Sequence, residues 1–215
     1  MNLKRYALLA AAAVLMTAGC GKNAGNTEPS LEETSIYVTR DGAVISVTVE
    51  EYDQSVFEDD EAGLRASAEE DLKAVNSLSE GDGEEAAASV RECTMADGVA
   101  RLLIDFRDID TYFKYLELYP DEDDGELKKL QVMTVADGLA AGYLTDAGFV
   151  KAEEKRTAVE TSKVTRESGM IMVAVEGPAL IQTDGKIAYV SDNVTEITEN
   201  GVRTPETGIS YIVYK

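Results

Sequence analysis

The sequence predicts an α+β domain, with antiparallel β-hairpins forming a sheet and two or three helices packed on it, after an N-terminal signal segment. Three observations predict this. Asp-Gly pairs recur at Asp41, Asp82, Asp97, Asp124, Asp137 and Asp184, and some have flanks that alternate apolar and polar, as a hairpin with one buried face requires. Apolar residues at helical spacing follow each of the first two such hairpins. The C-terminal third consists mostly of short apolar runs of strand length.

The chain opens with Lys4 and Arg5, an apolar run from Tyr6 to Met16, and the small residues Thr17, Ala18 and Gly19 directly before Cys20. A short positive stretch, an apolar core too short to span a bilayer and a small-residue site are the marks of a secretory signal. Taken alone, these residues also suit an ordinary signal with an incidental cysteine, or a helical anchor that stays uncut. Small residues followed at once by Cys20 resemble the lipobox of bacterial lipoprotein precursors, with Thr17 where that family usually carries Leu. The resemblance covers residues 1–20. It implies that 1–19 is a signal peptide and that Cys20 is acylated on its sulfur and becomes the new N-terminus. Two acyl chains, at about 0.8 kcal/mol per buried CH₂, hold a protein at a membrane far better than one. Residues 20–33, from Cys20 through "GKNAGNTEPSLEE", are polar and read as a flexible tether, about 20 Å long on average.

The domain then runs from 34 to 215, with a weak candidate boundary near 120–126. A two-residue turn at Asp41-Gly42 pairs Val38 with Ile45 and Ile36 with Val47. It puts Ile36, Val38, Ile45, Val47 and Val49 on one buried face and leaves Tyr37, Thr39, Ser46 and Thr48 on a wet one. Asp60 is a suitable N-cap for a helix with Leu64, Ala68, Leu72 and Val75 on one stripe. Asp97-Gly98 pairs Cys93 with Leu102 and Met95 with Ala100. Cys93 thereby joins Leu102, Ile104 and Phe106 in the core as a structural thiol. Asp108 caps a second helix that turns Ile109, Phe113 and Leu116 inward and closes at Pro120. A strand at 129–133 leads to Thr134, which caps a short helix over 135–141, with Gly142 in the left-handed position that ends it. "MIMVAVEG" reads as a strand buried on both sides. Asp184-Gly185 is expected to turn a third hairpin with Leu180 facing Tyr189, and Asn200-Gly201 a fourth, shortened by Pro205. "ISYIVYK" is the last strand. Asp82-Gly83 and Asp124-Gly125 sit in acidic runs and read as loops.

Composition narrows the chemistry. Forty-one Asp and Glu against twenty Lys and Arg give a net charge of −21. The signal segment carries two cations and no acid, so the excess of acids lies wholly beyond it. A field of that sign repels nucleic acid and anionic lipid headgroups. Histidine is absent and the cysteines are two, which removes the commonest general base and the ligand sets of zinc and iron–sulfur sites. "PDEDDGELKKLQ" has the carboxylates of a calcium loop. Aligned on Gly125, however, it places Pro120 at the first ligand position and Gln131 at the last, where the motif needs oxygen donors. The Ser-Asp-Asn triplet in "YVSDN" lacks the Ser-x-x-Lys and Lys-Thr-Gly partners that serine β-lactamase chemistry uses, and reads as a turn after a strand. Tyr112, Tyr115 and Tyr119 could stack on sugars, but at helical spacing they read first as packing residues with a wet hydroxyl.

The Cys20 signal, "SIYVTRDGAVISVTVEEY" and the Tyr-rich end "IAYVSDN…YIVYK" together resemble small uncharacterised lipoproteins of Gram-positive gut bacteria. The resemblance implies a location at the outer face of the cell membrane and no particular activity. The expected function is therefore that of a lipid-anchored extracytoplasmic binding or envelope-support domain, not an enzyme. It has no catalytic, cofactor or metal residues, and its partner is an unknown protein or small molecule. Two other expectations stay open: a cation- or small-ligand-binding accessory, and a carboxylate-dependent hydrolase of wall polymers.

Overall fold

The computed structural model describes residues 28–53, 60–79, 86–120, 126–153 and 156–215. The signal segment, Cys20 and the Asp82-Gly83 and Asp124-Gly125 loops fall outside these residues, as does most of the candidate boundary at 120–126.

The chain is α+β, as the turn and stripe patterns predict, but it builds two sheets where one was expected, and four helices among the described residues. The order is β1 (Ser35–Val38), β2 (Val44–Glu51), α1 (Glu61–Leu78), β3 (Ala88–Ala96), β4 (Val99–Phe106), α2 (Ile109–Leu118), β5 (Lys129–Thr134), α3 (Val135–Ala140), β6 (Phe149–Lys151), β7 (Ala158–Val159), α4 (Thr161–Arg166), β8 (Ile171–Glu176), β9 (Leu180–Thr183), β10 (Ile187–Ser191), β11 (Glu196–Ile197), β12 (Val202–Arg203) and β13 (Ile209–Tyr214). The first sheet has the order β11-β12-β9-β1-β2-β4-β3 and the second β5-β8-β13-β10-β6-β7. Pairing is antiparallel except between β1 and β9.

The Asp97-Gly98 hairpin forms in the expected register, Cys93 opposite Leu102 and Met95 opposite Ala100. Asp97 and Gly98 both take left-handed backbone angles, which a primed two-residue turn needs. The first hairpin differs. Val38 lies opposite Val44 and Ile36 opposite Ser46, one residue away from the expected pairing. The Thr39 amide donates to Ala43 O and the Gly42 amide to Thr39 O, both at 3.0 Å, and Gly42 alone in the turn is left-handed, at φ +88°. The connection is thus a three-residue loop ending in a glycine bulge. Because strand side chains alternate, that single residue exchanges the faces. Ile36, Val38 and Val44 share their side with Ser46 and Thr48, and Tyr37, Ile45 and Val47 occupy the other side. Both faces are buried: the first belongs to the main core, the second to a smaller cluster with Leu103, Leu31 and Val49.

The expected third hairpin does not exist. β9 belongs to the first sheet and β10 to the second, so Asp184-Gly185 is where the chain passes from one sheet to the other. Glycine is needed there for space, since a Cβ on residue 185 would lie 1.9 Å from Lys215 O. Asn200-Gly201 does turn β11 into β12, with Thr198 donating its amide to Gly201 O, and each strand is two residues long.

The helices start where the caps predict. Asp60 accepts from the Gly63 amide and Asp108 from the Thr111 amide, and Thr134 accepts from the Asp137 amide. Leu64, Ala68, Leu72 and Val75 are the buried stripe of α1, which lies against β3, while α2 lies against β4. On α2 the buried residues are Thr111 and Tyr112; Ile109, Phe113 and Leu116 are half-buried against the core. β8 is central, flanked by β5 and β13. Its Val173 and Val175 face the main core, together with Leu130, Ile212 and Tyr214 of the same sheet. Met172 and Ala174 face a second cluster, with Val135 of α3, Val164 of α4, Leu144 and Phe149.

Residues 28–33, the end of the expected tether, are held against the first sheet. The side chain of Gln182, 2% exposed, accepts from the Ser30 amide at 2.8 Å and donates to Ser30 O at 3.0 Å and to Ser35 Oγ at 2.7 Å. Arg101 donates to Leu31 O. Glu28 pairs with Arg91 at 3.1 Å, Glu33 pairs with Arg203, and Asn200 donates to Glu32. This strap covers the Tyr37–Ile45–Val47–Leu103 cluster that the shifted register turns outward.

Candidate functional groove

The first sheet is not apolar along the whole of its core side. Val44 is buried in the core, but the next residues of β2 on that side are Ser46, Thr48 and Glu50, directly opposite Ile104, Leu102 and Ala100 of β4. These polar side chains offer no continuous apolar surface for a helix to pack on. α2, which crosses this side, covers it only in part. The result is a groove of about 1100 Å³.

Its floor is the row Ser46, Thr48 and Glu50. One wall is α2, with Tyr112, Phe113, Tyr115 and Leu116, extended by Tyr119 and Pro120. The lining also takes in Glu126 to Lys128 before β5, and Pro178 and Ala179 with Leu180 at the start of β9. Glu33 and Thr34 at the end of the strap, with Thr195, Arg203 and Thr204, also line it. The aromatic wall is braced from behind. The Phe106 ring lies 5.1 Å from that of Tyr112 and 5.3 Å from that of Tyr115, and the Tyr115 and Tyr119 rings are 5.4 Å apart. Tyr119 donates its hydroxyl to Asp71 O at 3.1 Å. Burial, then the neighbouring Asp71, push its phenol up. Burial pushes the Tyr112 phenol up much further.

Charges in the groove are mostly acidic. Glu33, Glu50, Glu117 and Glu126 line it, against Arg203 and Lys128. Arg203 is engaged by both Glu33 and Glu196. Glu117 and Glu126 make no ion pair or hydrogen bond among the described residues.

The residues singled out in the sequence fall in different places. Cys20 lies outside the described residues. Cys93 is buried in the main core, its Sγ 3.7 Å from Glu61 O. Burial pushes the thiol up, as befits an inert thiol. Ser191 ends β10 and donates to Asn193 Oδ1 at 2.7 Å while accepting from the Tyr211 amide, so the Ser-Asp-Asn triplet is a turn. Tyr112, Tyr115 and Tyr119 come together on the groove wall. Ser46, Thr48 and Glu50 were not legible as site residues, because the expected register placed Ser46 and Thr48 on a solvent face.

A second polar spot lies at the sheet-to-sheet crossing. Arg40 pairs with Asp184 at 3.0 Å, while Asp184 Oδ1 and Tyr214 Oη are buried without a hydrogen-bond partner among the described residues. Burial, reinforced by Asp184, raises the Tyr214 phenol strongly and pushes that of Tyr37 up to about 12. Tyr37 and Tyr214 are themselves buried, at 2% and 0% exposure.

Among the described residues no group of three or more His, Cys, Asp or Glu is placed to hold a metal ion. No helix there is long and apolar enough to cross a membrane. No protein-family model, curated protein or solved structure matches the chain.

Proposed function

We propose that this chain is a lipid-anchored extracytoplasmic lipoprotein whose folded domain binds a ligand or partner in the α2 groove without catalysing its conversion. The binding half of the proposal is carried by one observation: an open groove in which half-buried aromatic rings face a row of hydroxyl and carboxylate side chains. Concave sites that combine an apolar wall with a few convergent polar groups are where proteins usually bind other molecules. The anchoring half rests on the residues around Cys20 and on the polar stretch that follows them. With residues 28–33 strapped to the sheet, the tether of this proposal shortens to residues 21–27.

The two halves are tested separately. Intact-mass analysis of the membrane fraction should find a chain beginning at acylated Cys20; a chain beginning at any other residue overturns the anchor. For the groove, Thr48→Trp fills the floor. Cross-linked pull-downs with the full chain as bait should recover a reproducible partner that the Thr48→Trp chain loses. An unchanged partner set removes the groove from the proposal.

A further inference from the structure

The groove's chemistry narrows what it can hold, provided the groove is the binding site. Among the described residues its lining carries four carboxylates and two cations, and one of those cations, Arg203, is already engaged by Glu33 and Glu196. Glu117 and Glu126 are left to face solvent along the same groove as the rings of Phe113, Tyr115 and Tyr119. Aromatic faces attract cations through the ring quadrupole, by about 0.5–1 kcal/mol where exposed and more where desolvated. Carboxylates beside such rings add to the attraction, and the net charge of −21 draws cations toward the surface and repels anions.

Size and spacing argue for a chain over a single small amine. The groove, at about 1100 Å³, exceeds the space one amine fills. Ser46, Thr48 and Glu50 project at every second residue of β2, so they repeat at about 6.6–6.8 Å. An extended peptide presents its own same-face side chains at that period. We propose that the groove takes an extended basic peptide. Its ammonium or guanidinium groups lie against the rings of α2 and the carboxylates of Glu50, Glu117 and Glu126, and its backbone runs over the Ser46–Thr48 floor. Lys128 also lines the groove and disfavours a cation beside it, so the basic groups belong beside the rings and the carboxylates.

The test is fluorescence anisotropy of labelled hexalysine with the full-length protein in mild detergent, at low and physiological salt. Hexaglutamate and chitohexaose are the comparison probes. Glu117→Gln with Glu126→Gln should weaken hexalysine binding about threefold or more, as loss of adjacent charges implies. Asp146→Asn with Glu160→Gln removes the same charge from the far side of the second sheet and should change it far less. Phe113→Leu keeps apolar bulk but removes the ring, and should cost about two- to fivefold. Equal weakening by the two charge-neutralised pairs would mean attraction to diffuse surface charge and would overturn the inference. So would hexalysine binding no better than hexaglutamate. If chitohexaose binds and Phe113→Leu weakens it while hexalysine fails, the basic-peptide inference falls but the groove stands as a binding site. Blanks with all three probes overturn the inference, while the pull-down with the Thr48→Trp chain still decides the groove.

Discussion

Gln182 is a polar residue in the interior of a sheet that spends both ends of its amide on another segment's backbone. Its carbonyl and amide groups bind the N–H and C=O of Ser30, and a third bond reaches Ser35. A buried amide satisfied this fully is specific, because no shift of the strap by one residue preserves both backbone bonds. Gln182→Ala should cost about 1–3 kcal/mol of stability and speed hydrogen exchange at residues 30 and 31. A variant that melts like the parent with unchanged exchange there would refute the clamp. Tyr214 presents the opposite case. Its hydroxyl is buried and has no partner among the described residues, so it contributes desolvation cost without a bond. Tyr214→Phe is therefore expected to leave stability unchanged or raise it by up to about 1 kcal/mol. A clear loss in the denaturation midpoint would show that the hydroxyl is bonded.

At the scale of elements, helix caps are legible in the sequence and turn types are less so, for physical reasons. Caps are local: Asp60, Asp108 and Thr134 each need only the amide three residues on, so the sequence contains the whole interaction. Turn type is less local. Asp-Gly supports both a two-residue primed turn and a three-residue loop with a glycine bulge, and the choice at Asp41-Gly42 moved the register by one and exchanged two faces. At Asp184-Gly185 the glycine answers a contact with Lys215, thirty residues away, which no local pattern encodes. The groove floor was missed through that same shift at Gly42, whereas the grouping of Tyr112, Tyr115 and Tyr119 follows from helical spacing wherever the helix packs, although that spacing reads first as packing and not as a site. The cap of α2 also has a pH signature. Burial of Asp108 opposes its ionisation, but hydrogen bonds from the Thr111 hydroxyl and amide and from Arg107 outweigh it, and its carboxyl is held below the ordinary value. A depressed carboxyl stabilises the fold above its unfolded pKa, about 4, and that contribution is lost as pH falls through the folded value. Asn caps nearly as well as Asp but does not titrate. The difference in melting temperature between the parent and Asp108→Asn should therefore hold down to about pH 4 and shrink as pH falls below it. Parallel decline of the two would exclude this linkage.

The molecule as a whole is layered: strap, first sheet, a core shared with α1, α2 and the inner side of the second sheet, then α3 and α4. The sequence supported most of the strands and the helices α1, α2 and α3, but neither α4 nor the division into two sheets. A strand such as β8 reads the same whether both its sides meet one sheet's helices or another sheet. Three tyrosines tie the layers to alkaline pH. Burial holds the phenols of Tyr37, Tyr112 and Tyr214 above their ordinary value. A raised phenol stabilises the fold fully below its unfolded pKa, about 10, and that contribution is lost as pH rises toward the folded value. For Tyr37 the window runs from about 10 to about 12. Part of the phenolate absorbance should therefore appear only together with loss of circular dichroism. A single early phase complete before unfolding would show that these three are open to solvent.

The strap also determines how the domain meets a mechanical load. Tension arriving along the N-terminal chain reaches the domain at the Glu28–Arg91 pair and then meets Gln182 and Arg101 before it can pull on β1. These fastenings lie on four different strands of one sheet, Arg203 of β12 being the last. A tug would therefore be spread sideways across the sheet, and β1, pinned between β9 and β2, would be the last part to peel.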